Sequence, residues 1–508
     1  MIKTARTPGT PVPAYDKVKP LWSRSRAVLG GLKAAREHDR VVSTDNLLLP
    51  FSPRMSQEQY SFLQAESELP GLVAQYAKVV VGGLLRKRPQ LSIEGVPSPE
   101  DTVDWLRRNL TAEGASLVSF LDNVLYEEVS TSRVGVWVDY PEVAGEEETN
   151  LKPYPLVWPA ESIINWQTSV DVTDRRHKLS RVVLRFYQEV PADDSDLHTD
   201  FTEYVKDLHL DEAGLYCINT YKLSRTPTEE KKEARARLPE GEVWELDGES
   251  VYPMVHGERL TFIPFWFLNG AIEPIEPILS PLVDREVALY NKMTRRNHLL
   301  YTASTFTPVI HSTMSEDDFQ KIVSGGLGSW ILLHPDDKVS ALETPTAALS
   351  SLDTSIDHTV NELAKMGIRM LAPESGLQSG VALEIRNSAQ TTQLGTLNVK
   401  ISETMKEVLE FMVWWGTPGS SPDTIDVTFN LSMDFNPTPL GEGWMRMITE
   451  WYQERLISRS TWIEIARQND ILPDDYNDDT ARVELDEDVF LPPPFDYSPT
   501  SEAVPDVE

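Results

Sequence analysis

The sequence predicts an α+β protein, a mixed helix-and-sheet body followed by a strongly helical second half. Between about residues 133 and 264, short apolar runs alternate with turn signals, the pattern of a mostly antiparallel sheet. Helical periodicity precedes that sheet from Ser56 and dominates after residue 280. At 508 residues the chain exceeds one simple domain, the prior being roughly 150 residues for each.

The first fifty residues read as polar and irregular, with prolines at 8, 11, 13 and 20. Tyr15 and Trp22 stand there as isolated aromatics, expected to anchor onto something larger. From Ser56, Tyr60, Leu63, Leu72, Tyr76, Val79 and Leu84 keep helical spacing with a break at Pro70. Arg86-Lys87-Arg88 closes that stretch before Pro89, cations suiting a helix C-terminus. A helix is expected from Pro99 to Glu128, on a stripe running from Trp105 to Leu125. Strands are expected at 133–141, 156–158, 163–166, 181–187, 214–219, 242–246 and 260–264. The mixed-charge run Thr228–Arg237 reads as a solvated hairpin tip or loop.

Ser280-Pro281 is a helix start, Ser as cap and Pro in the first turn. Val283, Val287, Tyr290, Met293 and Leu300 carry that helix to about Ala303, roughly 33 Å at 1.5 Å per residue. A compact excursion follows from Thr305 to Thr346. It holds a strand at 308–310, a short helix near 316–323, a Gly325-Gly-Leu-Gly-Ser turn and a strand at 330–333. A second helix is expected from Leu349 to Leu371, since Leu352, Ile356, Val360, Leu363, Met366 and Met370 recur every three or four residues. Pro373 to Gly380 breaks it. A third helix, Ala382 to Trp415, carries Leu394, Leu397, Ile401, Met405, Val408 and Met412, with Gly395 as a bend. A strand at 425–431 and a helical pair, 441–456 and 460–468, precede an acidic tail.

Composition and motifs exclude much chemistry. Forty-seven Lys and Arg against seventy-nine Asp and Glu give −32, a field that repels phosphates. The single Cys217 excludes an intrachain disulfide and a cysteine-based zinc cluster, and fits synthesis in a reducing compartment. No apolar core follows the basic N-terminus as in a secretory signal, and no run approaches the ~18 apolar residues of a membrane span. Leu72–Leu85, broken by Gln75 and Lys78, reads as a buried helix. A soluble protein, intracellular when made, is expected. There is no P-loop, no G-x-S-x-G elbow and no H-E-x-x-H. Gly325-Gly-Leu-Gly is a tight turn rather than a dinucleotide fingerprint. His311 and His334 could meet across a small sheet, but without an obvious carboxylate to orient them they read as ordinary surface or partly buried histidines rather than ligands. The adjacent acids at 193–194, 317–318, 336–337, 474–475 and 478–479 lack glycosidase or EF-hand spacing. No catalytic residue, metal site or cofactor is expected.

The order of elements resembles the portal proteins of tailed bacteriophages. Local segments similar to one portal-like family are Gly135-Val-Trp-Val-Asp139-Tyr-Pro, Ile164-Asn-Trp166, Ile263-Pro-Phe265 with Asn269-Gly270, Asp434-Phe435 and Ile457-Ser-Arg-Ser-Thr461. The resemblance covers about Tyr15 to Asp488. It implies an α/β wing (1–279), a first stem helix (280–304), a small α/β clip (305–347) and a second stem helix (348–371). A tunnel loop (372–381), a long bent wing helix with return strand (382–437), a helical crown (438–470) and the acidic tail (471–508) follow. It further implies a homo-oligomeric ring, twelve-fold in the virion, at one capsid vertex, assembled in the host cytoplasm. Double-stranded DNA passes through it weakly and without sequence preference. The terminase large subunit docks during packaging, head-to-tail adaptor or tail proteins afterwards, and capsid and scaffolding proteins surround it. A virion or scaffold protein without a bore, and an acidic soluble hydrolase, are the alternatives.

Three groups of residues become candidates. Glu374, Ser375, Gly376, Leu377, Gln378 and Ser379 form the loop that would brush DNA, sterically because Glu374 is its one charge; a plain helix–helix turn is the structural alternative. Lys292, Arg295, Arg296, Lys365 and Arg369 are scarce cations on the stem, either a weak contact ring or a solvated face with Arg285. Glu316, Asp317, Asp318, Asp336, Asp337 and Glu343 make the clip a net acidic docking surface for a basic partner.

Overall fold

The computed structural model describes residues 7–43, 46–50, 55–141, 151–170, 177–192, 195–224, 243–304, 308–311, 315, 338–341, 347–366, 380–431, 442–468 and 472. The chain divides into two compact units, Met1–Met433 and Asp434–Glu508.

The N-terminal stretch is helical rather than irregular: α1 spans Pro13–Leu29 and α2 Gly31–Val41. Pro13 sits in the first turn, where a missing N–H costs nothing. Tyr15 and Trp22 anchor onto this chain's own body. They are 2% and 0% exposed, with ring centroids 5.6 Å apart. Tyr15 donates its hydroxyl to the Glu161 carbonyl at 2.9 Å, Ser25 donates to the Ser130 carbonyl at 2.7 Å, and Arg26 forks onto Glu127 and Glu161.

Helix α3, Gln57–Ala65, opens on a capping box between Ser56 and Gln59, and α4 covers Leu72–Leu84. The single helix expected over 99–128 is two, α5 Pro99–Arg108 and α6 Leu117–Thr131. Gly114 turns the chain between them with φ 81°, and the Ser116 hydroxyl caps α6 by accepting from the Ser119 N–H at 3.2 Å.

Strand β1, Gln90–Glu94, lies between α4 and α5 in sequence. Beyond α6 come β2 Val134–Asp139, β3 Tyr154–Pro159, β4 Ile163–Val170, β5 His177–Ala192, β6 Ser195–Leu210, β7 Tyr216–Ser224 and β8 Val243–Leu246. β4 to β8 form one antiparallel meander. Its inner face, with Val182, Leu184, Tyr204 and Leu208 buried, meets the second sheet through the Trp158 and Phe186 rings at 6.0 Å. No strand forms over 260–264; the strand begins at the next residue, as β11 Phe265–Phe267, after a small hairpin of β9 Met254–Val255 and β10 Glu258–Arg259. β11, β2 and β3 make the second sheet. Gly135 is required there: a Cβ would stand 2.1 Å from the Phe265 ring.

Helix α7 runs Ser280–Ser304 and α8 Ala347–Lys365. Between them β12 Pro308–His311 pairs antiparallel with β13 Lys338–Ala341, setting His311 opposite Lys338. The 316–323 helix, the 325–329 turn and the 330–333 strand lie outside the described residues, as do the 228–237 run and the tail beyond 472. Helix α9, Gly380–Gly416, packs on β14 Asp426–Asn430, and β14 pairs with β1 from Gln90↔Asn430 to Glu94↔Asp426. In the second unit α10 Glu442–Gln453 and α11 Arg459–Gln468 meet through Tyr452 and Trp462, 6.0 Å between centroids.

Candidate functional site

The candidate site is the pair α7–α8 and the ground it stands on. Three contacts across the pair fix an antiparallel register. Arg285 reaches Glu362 at 3.4 Å. Lys292 Nζ donates to Thr359 Oγ1 at 2.6 Å and to the Ser355 carbonyl at 3.2 Å. Arg296 pairs with Asp353. Residue numbers rise on one helix as they fall on the other. Residues 285, 292 and 296 share one helical face, so these contacts line a single seam. Thr359 is buried in it, 2% exposed.

The base of α7 is tied to the body by polar groups buried at unusual depth. Glu286 is 0% exposed. Its carboxylate accepts the Leu72 N–H at 2.8 Å and the Val73 N–H at 2.7 Å, capping α4 from the other helix. Gly71, left-handed at φ 73°, places those N–H groups and brings no side-chain cap of its own. Burial raises the Glu286 carboxyl above its ordinary range, while the Val73, Leu72 and Gly71 N–H groups pull it back. Also near the base Arg24 pairs with Asp284 at 3.0 Å; further along α7, Asn291 donates to the Leu48 carbonyl at 3.0 Å and His298 meets Glu66 at 3.0 Å.

Beneath α7 lies a second buried knot. Ser132, left-handed at φ 52°, ends α6. Its hydroxyl accepts from the Ile278 N–H at 2.8 Å and its carbonyl from Asn269 Nδ2 at 2.7 Å. The Arg133 guanidinium lies between the rings of Trp166 and Phe267, 4.2 and 4.1 Å from their centroids, and donates to the Ile272 carbonyl at 2.9 Å. Burial lowers Arg133 to about 9, against the pull of Glu273 and Glu128. Glu128 is 2% exposed, and burial pushes it up to about 7 despite Asn269, Arg133, the Val134 N–H and Lys400. One Glu128 oxygen and the Arg133 Nε and Nη2 atoms are buried without hydrogen bonds.

Among the sequence candidates, Lys292 and Arg296 belong to the α7–α8 seam, whereas Arg295 and Lys365 are exposed. Arg369, the loop residues Glu374, Ser375, Gly376, Leu377, Gln378 and Ser379, and the clip acids Glu316, Asp317, Asp318, Asp336, Asp337 and Glu343 lie outside the described residues. Glu286, Glu128 and Arg133 were not anticipated. A signal existed for Glu286: it lies three residues after Val283 and four before Tyr290, on the apolar stripe itself.

Among the described residues no three His, Cys, Asp or Glu side chains gather as a metal site, and no described helix is long and apolar enough to cross a membrane. The arrangement consists of two paired helices, a polar seam and buried anchors.

A family model described as a domain of unknown function, DUF4055, matches residues 278–416. That interval begins two residues before α7 and ends with α9. No curated protein matches the chain. Solved structures it is similar to include the neck of an empty gene transfer agent particle computed with C6 symmetry, at 12% identity and TM-score 0.35, covering 82% of this chain and 94% of that one. The virion of a native gene transfer agent particle aligns at 10% identity and TM-score 0.33, over 80% of this chain and 91% of that one. The neck of the native particle computed with C12 symmetry aligns at 9% identity and TM-score 0.32, over 82% and 94%.

Proposed function

We propose that this chain is a structural subunit of a phage-like head-to-tail assembly, and specifically its portal: a ring that double-stranded DNA crosses during packaging and ejection. The observation that carries this reading is the antiparallel pair α7–α8. It brackets an excursion holding a small antiparallel sheet, stands on the α+β body through Glu286, and is followed by the long helix α9. In this reading α7 and α8 are the stem, residues 305–347 the clip, 372–381 the tunnel loop and 438–470 the crown.

A conduit must touch duplex without holding it, because each cation–phosphate contact adds affinity and salt dependence. A chain of formal charge −32 avoids such contacts. The motor and the adaptor dock at the acidic clip, and ATP turnover belongs to the motor. Purified full-length chain, imaged by negative stain and weighed by mass photometry, is expected to form rings with a central hole. Monomer or dimer alone, across concentration and salt, overturns the reading.

A further inference from the structure

The junction of α6 and β2 buries two ionisable side chains that each leave hydrogen-bonding atoms unused. Glu128 stands in the last turn of α6 and Arg133 immediately before β2. Arg133 Nη1 donates to the Ile272 carbonyl at 2.9 Å, with the guanidinium between the Trp166 and Phe267 rings. Its Nε and Nη2 and the Glu128 Oε2 are buried without hydrogen bonds. Each group nonetheless feels the other: Arg133 favours the ionised form of Glu128, and Glu128 the charged form of Arg133.

The pair is wired to the segment that leads into α7. Asn269 is the hub. Its Nδ2 donates to the Ser132 carbonyl at 2.7 Å, its side chain also serves the Glu128 carboxyl, and its Oδ1 accepts the Ala271 N–H at 2.9 Å. The Ser132 hydroxyl accepts the Ile278 N–H at 2.8 Å, two residues before α7. The segment from 270 to 279 is thus held at the Ala271 N–H, the Ile272 carbonyl and the Ile278 N–H, by Asn269, Arg133 and Ser132 in turn.

We infer that Glu128 and Arg133 form a proton-operated switch on this segment: while Glu128 holds its proton Arg133 stays on the Ile272 carbonyl, and when the proton leaves to bulk water Arg133 turns to the carboxylate and lets that carbonyl go. The arrangement described is the protonated state. A neutral acid gives the guanidinium little reason to leave the two rings. An ionised carboxylate with a free oxygen, buried near a guanidinium with two free donors, is a costly arrangement that pairing relieves. The crossover lies in the neutral range, because burial raises Glu128 to about 7. The other charges that face the pair are Lys400 of α9, which favours ionised Glu128, and Glu273, which favours charged Arg133. Arg26 of α1, beside this turn, is committed to Glu127 and Glu161, and Glu286 of α7 to the N–H groups that open α4. The switch stands apart from the portal reading, since it uses only groups within one chain.

Hydrogen exchange of the full-length chain tests it, read on peptides spanning 268–280 from pH 5.5 to 8.5 and corrected for the intrinsic pH dependence of exchange. The Ala271 and Ile278 amides are expected to exchange about tenfold faster at pH 8 than at pH 6, while those of Gln90–Glu94 in β1 do not change. The midpoint is expected near pH 7. Glu128→Gln, which keeps the shape of the protonated acid, is expected to show the slow rate at every pH. A pH-independent rate in the native chain overturns the inference whatever the variant does. An equal pH response in the native chain and Glu128→Gln overturns it too, by placing the titrating group elsewhere. So does a rise shared equally by the β1 amides, which would report a general loosening of the body.

Discussion

Replacing Glu128 by Gln should abolish a pH dependence of stability that this carboxyl imposes. Glu128 is 2% exposed and its carboxyl is raised from 4.5 to about 7, burial being the largest cause. Between those values the folded chain holds this proton more tightly than the unfolded chain does. Stability therefore falls as pH rises from about 4.5 to 7, and is flat at this site above 7. One unit is worth 1.36 kcal/mol, so a difference of about 2.5 units bounds the loss at about 3 kcal/mol. Gln keeps the shape and the contacts with Asn269 and the Val134 N–H, but carries no proton to lose. The assay is local stability of α6 and β2 by hydrogen exchange at pH 5, 6, 7 and 8 in both proteins, read as their difference so that other titrations cancel. Relative to the native chain, Glu128→Gln should gain stability steadily from pH 5 to 7 and level off. A flat difference would refute the reasoning, as the carboxyl would then titrate as in water. A difference of the opposite slope would mean that Arg133 holds Glu128 as a true ion pair.

Two further outcomes follow from the same structure and a third from the proposed portal reading. Glu286→Ala leaves the Leu72 and Val73 N–H groups buried without acceptors; it should cost about 2–4 kcal/mol, seen as earlier chemical unfolding and faster exchange at the start of α4. Gly135→Ala drives a methyl into the Phe265 ring and should cost about 1–3 kcal/mol, of which a second change, Phe265→Leu, should recover part by thermal melting. Deleting Ser375–Ser379 should leave ring assembly intact while reducing DNA packaged or retained in particles; normal packaging by the deletion would make the segment a connector only.

Local pattern made the helices of the second half legible. The apolar stripes placed α8 and α9 to within a few residues at the ends the structure describes, and the Ser280-Pro281 signal placed the start of α7. What pattern could not supply was partnership. β14 reads as a strand because Ile425 and Leu431 extend its alternation, whereas β1, its partner more than three hundred residues earlier, carries only Leu91 and Ile93 and does not declare itself. β6 escaped for another reason. Its first half, Ser195-Asp-Leu-His-Thr-Asp-Phe-Thr202, carries only two apolar residues, Leu197 and Phe201, too sparse a pattern to signal a strand. Pro20 inside α1 hid a helix whose stability comes from Trp22, buried where tertiary packing outweighs propensity. The buried charges are the hardest case. Nothing in a residue letter separates Glu286, capping a distant helix, from the many acids that face water.

The seam between α7 and α8 alters what a basic ring on the stem could do. Lys292 gives two hydrogen bonds to α8, and Arg296 is paired with Asp353, so a phosphate would have to compete with partners already in place. Arg295 lies off that face and Lys365 near the end of α8, both exposed. If DNA does pass along the stem, Arg295 and Lys365 are, among the described stem candidates, those left to meet it at little cost. In the proposed ring that leaves a sparse set of cations per subunit against a strongly acidic background. Each phosphate neutralised contributes about 0.9 to the salt slope of binding. Binding of duplex by assembled rings should therefore be weak and shallow in its salt dependence, and Arg295→Ala with Lys365→Ala should flatten it further. Lys292→Ala should instead loosen the α7–α8 pair and leave the slope unchanged. A steep slope that vanishes with Lys292 would show that the seam opens to DNA, and that the two helices are not the rigid wall their contacts describe.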